Sequence, residues 1–154
     1  MDFKLDLDSE PVQSAYPSTV LTVEPDTPLR EVLALLKSQC TGSVLVCRDK
    51  RMIGIFTERD AVRLMADGLK LETPVEKVMT RQPVAIQATE TLGSAIKKMS
   101  QGGYRRLPII DEAGCPTGMV KVSGIVRYLV EHFPKTVYNL PPEPNIVMQE
   151  REGA

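Results

Sequence analysis

The 154-residue sequence has no tryptophan, a single histidine and only three cysteines. An odd number of cysteines without metal-ligand spacing predicts neither a disulfide framework nor a zinc site. Free cysteine usually behaves as a small apolar residue of the protein interior. We therefore expect Cys40, Cys47 and Cys115 to be buried, reduced thiols, and reduced thiols indicate a cytoplasmic protein.

The sequence also lacks an excess of positive charge and a long apolar segment. Its 19 basic and 20 acidic residues give a net charge of −1, which argues against nucleic acid or an anionic membrane as a partner. No run approaches the roughly 18 apolar residues of a membrane span. The N-terminal sequence MDFKLDLDSEP is too acidic and polar for a secretory signal. We therefore expect neither a nucleic-acid nor a membrane partner.

Residues for catalysis are scarce as well. The histidine, His132, lies near the end of a predicted helix, where it is expected to interact with the negative helix C-terminus. The sequence contains no CxxC, HExxH, GxSxG or P-loop motif. Because no set of nucleophile, base and metal ligands is apparent, we predict that the chain is not an enzyme and requires no metal or cofactor.

What the sequence does contain is an internal repeat. The segment from Pro11 to Leu36 matches the segment from Pro74 to Met99 without a gap, at an offset of 63 residues. A second match, GIFTERDAVR against GMVKVSGIVR, has an offset of 64 residues. Units of about 60 residues are marginally stable alone because they bury too little surface. The two copies are therefore expected to pack against each other.

Each copy predicts the same order of elements, β-α-β-β-α, and hence an α+β (α/β) fold. A short β-rich run is followed by a helix with apolar residues at positions i, i+3, i+4 and i+7. Two strands joined by a polar turn come next, and a second helix ends the copy. The first helical stripe is Leu29, Val32, Leu33 and Leu36, and the second is Leu92, Ala95, Ile96 and Met99.

The repeat also predicts the domain boundaries. We place the first repeat at residues 10–71 and the second at residues 72–134, after a flexible N-terminal arm of residues 1–9. We expect residues 135–154 to form a proline-rich, extended tail. The tail is too apolar for a purely solvated segment, so disorder and docking on a partner both remain open.

Three motifs distinguish the repeat: VMTRQPVAI (Val78 to Ile86), RRLPIID (Arg105 to Asp111) and GIFTERD (Gly54 to Asp60). In this order and at a constant offset, they resemble the cystathionine-β-synthase (CBS) domain family over residues 10–133. The resemblance implies two CBS units that pack through their sheets with pseudo-twofold symmetry, an arrangement called a Bateman module. It implies two clefts for AMP, ADP, ATP or S-adenosylmethionine. It also implies a homodimer and a protein regulated in trans.

The GIFTERD motif is the strongest candidate for ligand binding. Thr57 ends a predicted strand and Glu58 begins a helix, whose exposed N–H groups attract phosphate. Asp60 lies one turn later on the same side, where its carboxylate can accept hydrogen bonds from a ribose. The same residues also fit a helix cap resembling a capping box. The cap and the ligand role do not exclude each other.

The two copies differ at this site. The resemblance implies that Thr80 completes the cleft formed by Thr57 and Asp60, so this cleft keeps all three positions. The equivalent positions of the other cleft are Lys121, Gly124 and Pro17. We therefore expect one competent adenosine site and one degenerate site.

Weaker candidates surround the competent cleft. Ser43, Ile55 and Val84, with Gly42 and Val44, are expected to supply the apolar and backbone walls that adenine needs. Such residues are core residues first, so each also fits a purely structural role.

The degenerate cleft predicts a second anion site, because Lys121 with Arg105 and Arg106 would make it cationic. In the alternative, the two arginines are solvated or pair with Asp111 and Glu112. Surface charges of this kind seldom need a special role.

The sequence thus supports two functions of different classes. One is a regulatory module that senses an adenosine-containing ligand in one cleft and signals through the packing of the repeats or the dimer contacts. The other is a ligand-independent dimerisation and interaction module with a docking tail. Stabilisation by ligand against heat distinguishes them, because a ligand that binds only the folded state must raise the melting temperature.

Overall fold

The computed structural model describes residues 7–132, which form two sheets and four α-helices. The first half contains β1 (Thr22–Val23), α1 (Leu29–Ser38), β2 (Ser43–Arg48), β3 (Arg51–Thr57) and α2 (Glu58–Ala66). The second contains β4 (Thr80–Arg81), β5 (Ile86–Gln87), α3 (Leu92–Gly102), β6 (Arg106–Ile110), β7 (Pro116–Lys121) and α4 (Val122–His132). A 3-10 turn precedes each half, the N-terminal turn at Val12–Ala15 and the central turn at Val75–Lys77. The predicted α+β class and the repeated β-α-β-β-α order are confirmed.

The helical stripes pack as the 3.6-residue period predicts. In α1, Leu29, Val32 and Leu36 are buried, and Leu33 packs half-buried against the same core. The stripe of α3 behaves in the same way: Leu92, Ala95 and Met99 are buried and Ile96 is half-buried. Each helix therefore holds one apolar face against the sheet of its own half.

Each sheet also pairs with a segment from the other half of the chain. The sheets have the orders β1-β2-β3-β4 and β5-β6-β7. Strand β4 follows the first half in sequence, yet it is antiparallel to β3 and pairs Thr80 with Ile55. Conversely, the segment before β1 pairs with the sheet of the second half. Ser18 in this segment and Met119 of β7 exchange two backbone hydrogen bonds of 3.0 Å. The pairing of β4 with β3 brings Thr80 to the edge of the strand that ends at Thr57.

The 3-10 turns are exchanged between the two cores as well. Val12 and Ala15 of the N-terminal turn are buried in the core of the second half. Val75 and Met79, in and just after the central turn, are buried in the core of the first half. Full burial of such a side chain contributes about 1.5–3 kcal/mol. Each half therefore depends for part of its core on a segment that precedes the other half.

A polar network holds the start of α3. The Glu90 carboxylate accepts hydrogen bonds from the Gln87 N–H at 2.7 Å, the Ser94 hydroxyl at 2.8 Å and the Lys98 ammonium at 3.0 and 3.1 Å. Burial alone would raise the pKa of Glu90, but these donors outweigh burial and hold the pKa below its ordinary value. The Thr91 hydroxyl also accepts from the Ser94 N–H at 3.2 Å and caps the helix.

Two predicted segments lie at the ends of the chain. Residues 1–6 of the predicted arm and the whole predicted tail, 135–154, are outside the described residues. Leu7 is half-buried against the second core, and its carbonyl accepts the Gly93 N–H at 2.9 Å. Between residues 7 and 132, no helix has the length and apolar character needed to cross a membrane.

Candidate functional site

A cleft of about 590 Å³ lies where α2, β4 and the start of β6 meet. Pockets for small ligands commonly have volumes of roughly 300–1,000 Å³. The lining comes from both halves of the chain, with Thr57 and Asp60 from the first half and Tyr104 and Arg105 from the second. A molecule bound here would therefore contact both repeats. We call this space the open cleft.

The structure brings most of the predicted site residues to the open cleft. Thr57, Asp60, Thr80, Ile55 and Val84 all line it. Ile55 is buried, whereas Val84 is 40% exposed and offers an apolar surface to a ligand.

Two of the predicted wall residues lie elsewhere. Gly42 lines the open cleft as predicted, but Ser43 lines a second, much smaller space on the other side of the strand. Val44 is fully buried in the first core. Successive residues of a strand point to opposite faces, so neighbouring positions of β2 serve different clefts.

The Thr57 and Asp60 side chains form the predicted capping box. The Asp60 Oδ2 atom accepts hydrogen bonds from the Thr57 N–H and the Thr57 hydroxyl, both at 2.9 Å. The Thr57 Oγ1 atom in turn accepts the Asp60 N–H at 3.3 Å. The cap orients the Asp60 carboxylate at the cleft wall, and within residues 7–132 its Oδ1 atom makes no hydrogen bond.

The start of α2 offers fewer free N–H groups than the sequence predicts. The Glu58 N–H donates to the Gly42 carbonyl at 3.0 Å. The Thr57 and Asp60 N–H groups are engaged in the capping box. An anionic group in the open cleft would therefore depend mainly on side chains for its hydrogen bonds.

Arginines supply those side chains, and most of them were not predicted. Five line the open cleft: Arg59, Arg63, Arg81, Arg105 and Arg106. Arg59 and Arg63 are one helical turn apart, a pattern that in sequence resembles an ordinary solvated helix face. Nothing in the sequence alone shows that these arginines meet residues more than 40 positions away.

The predicted second anion site is not formed, because the structure separates its residues. Lys121 lines the small space, whereas Arg105 and Arg106 line the open cleft. Gly42 explains the position of Arg106, since an ideal Cβ at Gly42 would lie 2.9 and 3.0 Å from the two terminal guanidinium nitrogens. The absent side chain leaves room for this guanidinium in the open cleft.

The alternative pairing of these arginines with Asp111 and Glu112 is not observed either. Asp111 accepts hydrogen bonds from the Ala113 and Cys115 N–H groups, each at 2.9 Å. These bonds hold the turn between β6 and β7. The ion pairs found within the described part of the chain include neither Arg105 nor Arg106.

The pseudosymmetric cleft is closed. Its volume is about 10 Å³, which is at most the space of a single water molecule. The N-terminal turn lies against α4, and an ideal Cβ at Gly124 would be 2.2 Å from the Ala15 carbonyl oxygen. Aspartate occupies the equivalent position of α2. The glycine thus allows the close approach that removes the space a nucleotide would need.

A surface cluster reinforces this closure. The Tyr16 hydroxyl donates a hydrogen bond to the Glu131 carboxylate. The Arg127 guanidinium lies 4.2 Å from the centre of the Tyr16 ring and pairs with Glu131 at 2.8 Å. The hydrogen bond to Glu131 is the main cause that raises the pKa of Tyr16.

Tyr104 is a further residue of the open cleft that sequence reasoning missed. Its ring is 42% exposed and lies against Gly102, and it lines the cleft beside Arg105. Its N–H donates to the Met99 carbonyl at 3.1 Å, just beyond the left-handed Gly103 that ends α3. An aromatic face in this position can stack on a planar base. In the sequence, only Gly102 and Gly103, which end α3 directly before Tyr104, draw attention to this position.

Comparison with known sequences identifies one family. The model of the CBS domain family matches residues 12–67 and again residues 75–131. The CBS domain-containing protein YhcV of Bacillus subtilis is 33% identical over 102 residues, which cover 66% of this chain and 73% of YhcV.

Solved structures show the same fold. An uncharacterized conserved protein from Pyrococcus horikoshii superimposes with a TM-score of 0.70 and 28% identity, over 80% of this chain and 93% of its own. A CBS domain protein from Pyrobaculum aerophilum, complexed with AMP, has a TM-score of 0.71 and 20% identity, over 79% of this chain and 96% of its own. Because the Pyrobaculum protein is only 20% identical to this chain, its similarity shows a shared fold and nothing more.

Proposed function

The chain belongs to the CBS domain family, and we propose that it is a regulatory module that binds one adenosine-containing ligand per chain in the open cleft. The observation that carries the proposal is the difference between the two clefts. One has a volume of about 590 Å³ with Thr57, Asp60 and Thr80 on its wall, and the other has about 10 Å³. The Pyrobaculum protein is complexed with AMP, and the family resemblance adds ADP, ATP and S-adenosylmethionine as candidate ligands.

Asp60 is proposed to bind the ribose. Its Oδ2 atom is held by the Thr57 N–H and hydroxyl, so the carboxylate is already oriented before a ligand enters. Its Oδ1 atom can accept a hydrogen bond from a ribose hydroxyl, as acidic residues do in other nucleotide-binding folds. Thr80 adds a hydroxyl from the neighbouring strand β4.

Adenine is proposed to lie against the apolar part of the lining. Ile55 and Val84 supply aliphatic surface, and the Tyr104 ring supplies an aromatic face. A site that combines apolar walls with a few polar groups of fixed orientation suits a nucleoside.

Signalling is proposed to follow from the position of the cleft between the repeats. A small apolar cluster joins the two sheets, with Leu45, Cys47 and Ile55 on one side and Met119 on the other. A ligand shifts the repeats towards one relative arrangement only if it binds that arrangement more tightly than the others. A ligand that contacts both halves meets this condition when its contacts differ between the arrangements. The regulated protein would then bind the arrangement that the ligand favours.

A homodimer is supported by exposed apolar residues on the outer helices. Val122, Val126 and Val130 form an i, i+4, i+8 stripe on α4 and are 41%, 50% and 40% exposed. Val62 and Met65 on α2 are 68% and 61% exposed. Apolar patches of this kind mark interaction surfaces. If the surface mediates dimerisation, Val126→Glu yields a monomer in sedimentation experiments while the wild type sediments as a dimer.

Thermal unfolding with a panel of ligands tests the proposed binding. A ligand at 100 times its dissociation constant stabilises the folded state by about 2.7 kcal/mol, which corresponds to about 5–10 °C for a chain of this size. Asp60→Asn keeps an acceptor for the cap but places an amide where a carboxylate oxygen is needed, so the shift should be much smaller. Thr91→Ala removes the cap of α3, away from the cleft, and should keep the full shift.

The alternative function is a ligand-independent assembly module, which the exposed stripe of α4 also favours. If AMP, ADP, ATP and S-adenosylmethionine all leave the melting temperature unchanged at millimolar concentration, the sensor proposal is wrong. An equal loss of the shift in Asp60→Asn and Thr91→Ala would mean that Asp60 acts through stability and not through the ligand.

A further inference from the structure

The open cleft is strongly cationic although the chain as a whole is slightly acidic. Five arginines and two carboxylates, Glu58 and Asp60, line it, which leaves a formal charge of +3. The whole sequence has a net charge of −1. Walls of one sign in a concave site concentrate the potential there and attract ligands of the opposite charge. The cleft therefore favours an anionic ligand, and the size of its positive charge indicates how much negative charge that ligand carries.

Among residues 7–132, none of the cleft arginines forms an ion pair, although the Glu58 carboxylate and the Arg106 guanidinium both lie beside Gly42. Four ion pairs occur among residues 7–132, and their basic partners are Arg30, Arg48, Lys98 and Arg127. Of the cleft arginines, Arg81 donates to the Glu76 carbonyl oxygen at 3.2 Å, which leaves the positive charge in place. Each guanidinium carries five donors, so most of the hydrogen-bonding capacity remains available to a ligand.

The positive charge is not a requirement of the repeated scaffold. Four of the five arginines have uncharged residues at the equivalent positions of the other repeat: Arg59 corresponds to Ser123, Arg81 to Ser18, Arg105 to Gly42 and Arg106 to Ser43. The fifth, Arg63, corresponds to Arg127, which is paired with Glu131 at 2.8 Å. The scaffold forms its sheets and helices without these charges, so a structural role does not account for the cluster.

The arginines of the cleft come from three parts of the fold. Arg59 and Arg63 lie on α2, Arg81 ends β4, and Arg105 and Arg106 lie at the start of β6. A single phosphate group can be satisfied by one or two guanidinium groups, which bind it in a bidentate manner. Five guanidinium groups on three elements exceed what one phosphate can use, and they suit a longer chain of phosphates.

We propose that the ligand of the open cleft carries two or more linked phosphate groups, as in a nucleoside diphosphate or triphosphate, with the phosphate chain on the arginine cluster. This inference rests on the proposed function and narrows its ligand. A phosphate monoester carries about −1.5 to −2 charges at neutral pH, which leaves part of the cleft charge uncompensated. A second phosphate group supplies the missing negative charge and new bidentate acceptors.

Calorimetric titration of the full chain with adenosine, AMP, ADP and ATP, without divalent cations, tests the inference. Each added phosphate up to the diphosphate should raise the affinity about tenfold, as expected for one new charge-assisted hydrogen-bonded contact. Raising the salt from about 0.05 M to about 0.3 M should weaken ATP binding more than AMP binding, because screening acts on the larger charge. Affinities for AMP, ADP and ATP that agree within about twofold would overturn the proposal.

Variants assign the effect to the cluster. Arg63→Gln and Arg105→Gln, one from each repeat, should each lower the affinity for ADP about tenfold and leave the affinity for adenosine unchanged. Arg127→Gln, at the position equivalent to Arg63 but on α4 and outside the open cleft, should alter neither affinity. If Arg63→Gln and Arg127→Gln have equal effects on ADP binding, the cluster is not the phosphate site.

The same titrations separate this inference from the proposed function. Binding of adenosine and AMP without any gain from further phosphates would retain the proposed function and refute the polyphosphate ligand. Binding of GTP as tight as that of ATP would retain the phosphate site and refute the preference for adenosine. If none of the compounds bind, both proposals are refuted.

Discussion

Replacement of Gly124 by alanine should destabilise the protein, although alanine normally stabilises a helix. The new Cβ would lie 2.2 Å from the Ala15 carbonyl oxygen, a backbone atom that cannot rotate away. Relief of this contact requires the N-terminal turn to move, and its residues Val12 and Ala15 are fully buried in the second core. Overpacking of this kind costs about 1–3 kcal/mol. The higher helix propensity of alanine offsets up to about 1 kcal/mol.

A contact of 2.2 Å with a backbone atom places the cost of overpacking near the upper end of this range. The expected net loss is therefore about 2 kcal/mol, or about 4–8 °C in melting temperature for a chain of this size. Urea unfolding followed by circular dichroism measures the loss directly. Gly93→Ala is a matched control near the start of α3, because the atom nearest to its new Cβ, at 2.3 Å, is the flexible carboxylate end of Asp8. We expect the control to change the free energy of unfolding by less than about 0.5 kcal/mol.

The comparison of the two glycine variants is decisive for the closed cleft. If Gly124→Ala is at least as stable as Gly93→Ala, the N-terminal turn does not rest on α4 in solution. The closure of the second cleft would then need another cause, and the expectation of one ligand per chain would lose its physical basis.

Three further outcomes follow from the described contacts. Phe56→Ala should lower the free energy of unfolding by about 3–5 kcal/mol, measured by urea unfolding, because the ring is fully buried in the first core. The lowered pKa of Glu90 stabilises the fold above the ordinary carboxyl pKa, and this contribution is lost as the pH falls below it. The deficit of Glu90→Gln against wild type should therefore shrink between about pH 5 and pH 3. Cys40 is exposed, contrary to the expectation from the sequence, whereas Cys47 is buried. Thiol labelling of the native protein should therefore modify Cys40 rapidly and Cys47 slowly, since burial shields the Cys47 thiol and raises its pKa.

Local features of the fold could be predicted because they depend on residues that are close in sequence. The stripe of Leu29, Val32 and Leu36 is buried as its spacing indicates. The capping box between Thr57 and Asp60 is also present, because both partners lie within one helical turn. Such interactions need only the helical period and the chemistry of side chains three or four positions apart.

The grouping of residues into clefts was harder to predict, because it depends on how the two halves cross. The family resemblance placed Thr80 with Thr57, and the pairing of β4 with β3 brings them to one cleft. The residues at the starts of β2 and β6 likewise line the cleft that carries the GIFTERD-type motif of the other half of the chain. Sequence reasoning did not take this exchange into account. Ser43 therefore lines the closed cleft, and its equivalent Arg106 lines the open one.

The two edges of the molecule thus differ mechanically as well as chemically. At the closed edge, the Ala15 carbonyl meets Gly124 without a gap, and Tyr16 is bonded to Glu131 beside Arg127. At the open edge, the repeats line a space of about 590 Å³, and its arginines form no ion pair with any residue from 7 to 132. Like charges repel each other across that space, so an anionic ligand would remove a repulsion that acts on one edge only. Ligand binding at the open edge should then change the angle between the repeats about the closed edge, and it should leave the closed contacts intact.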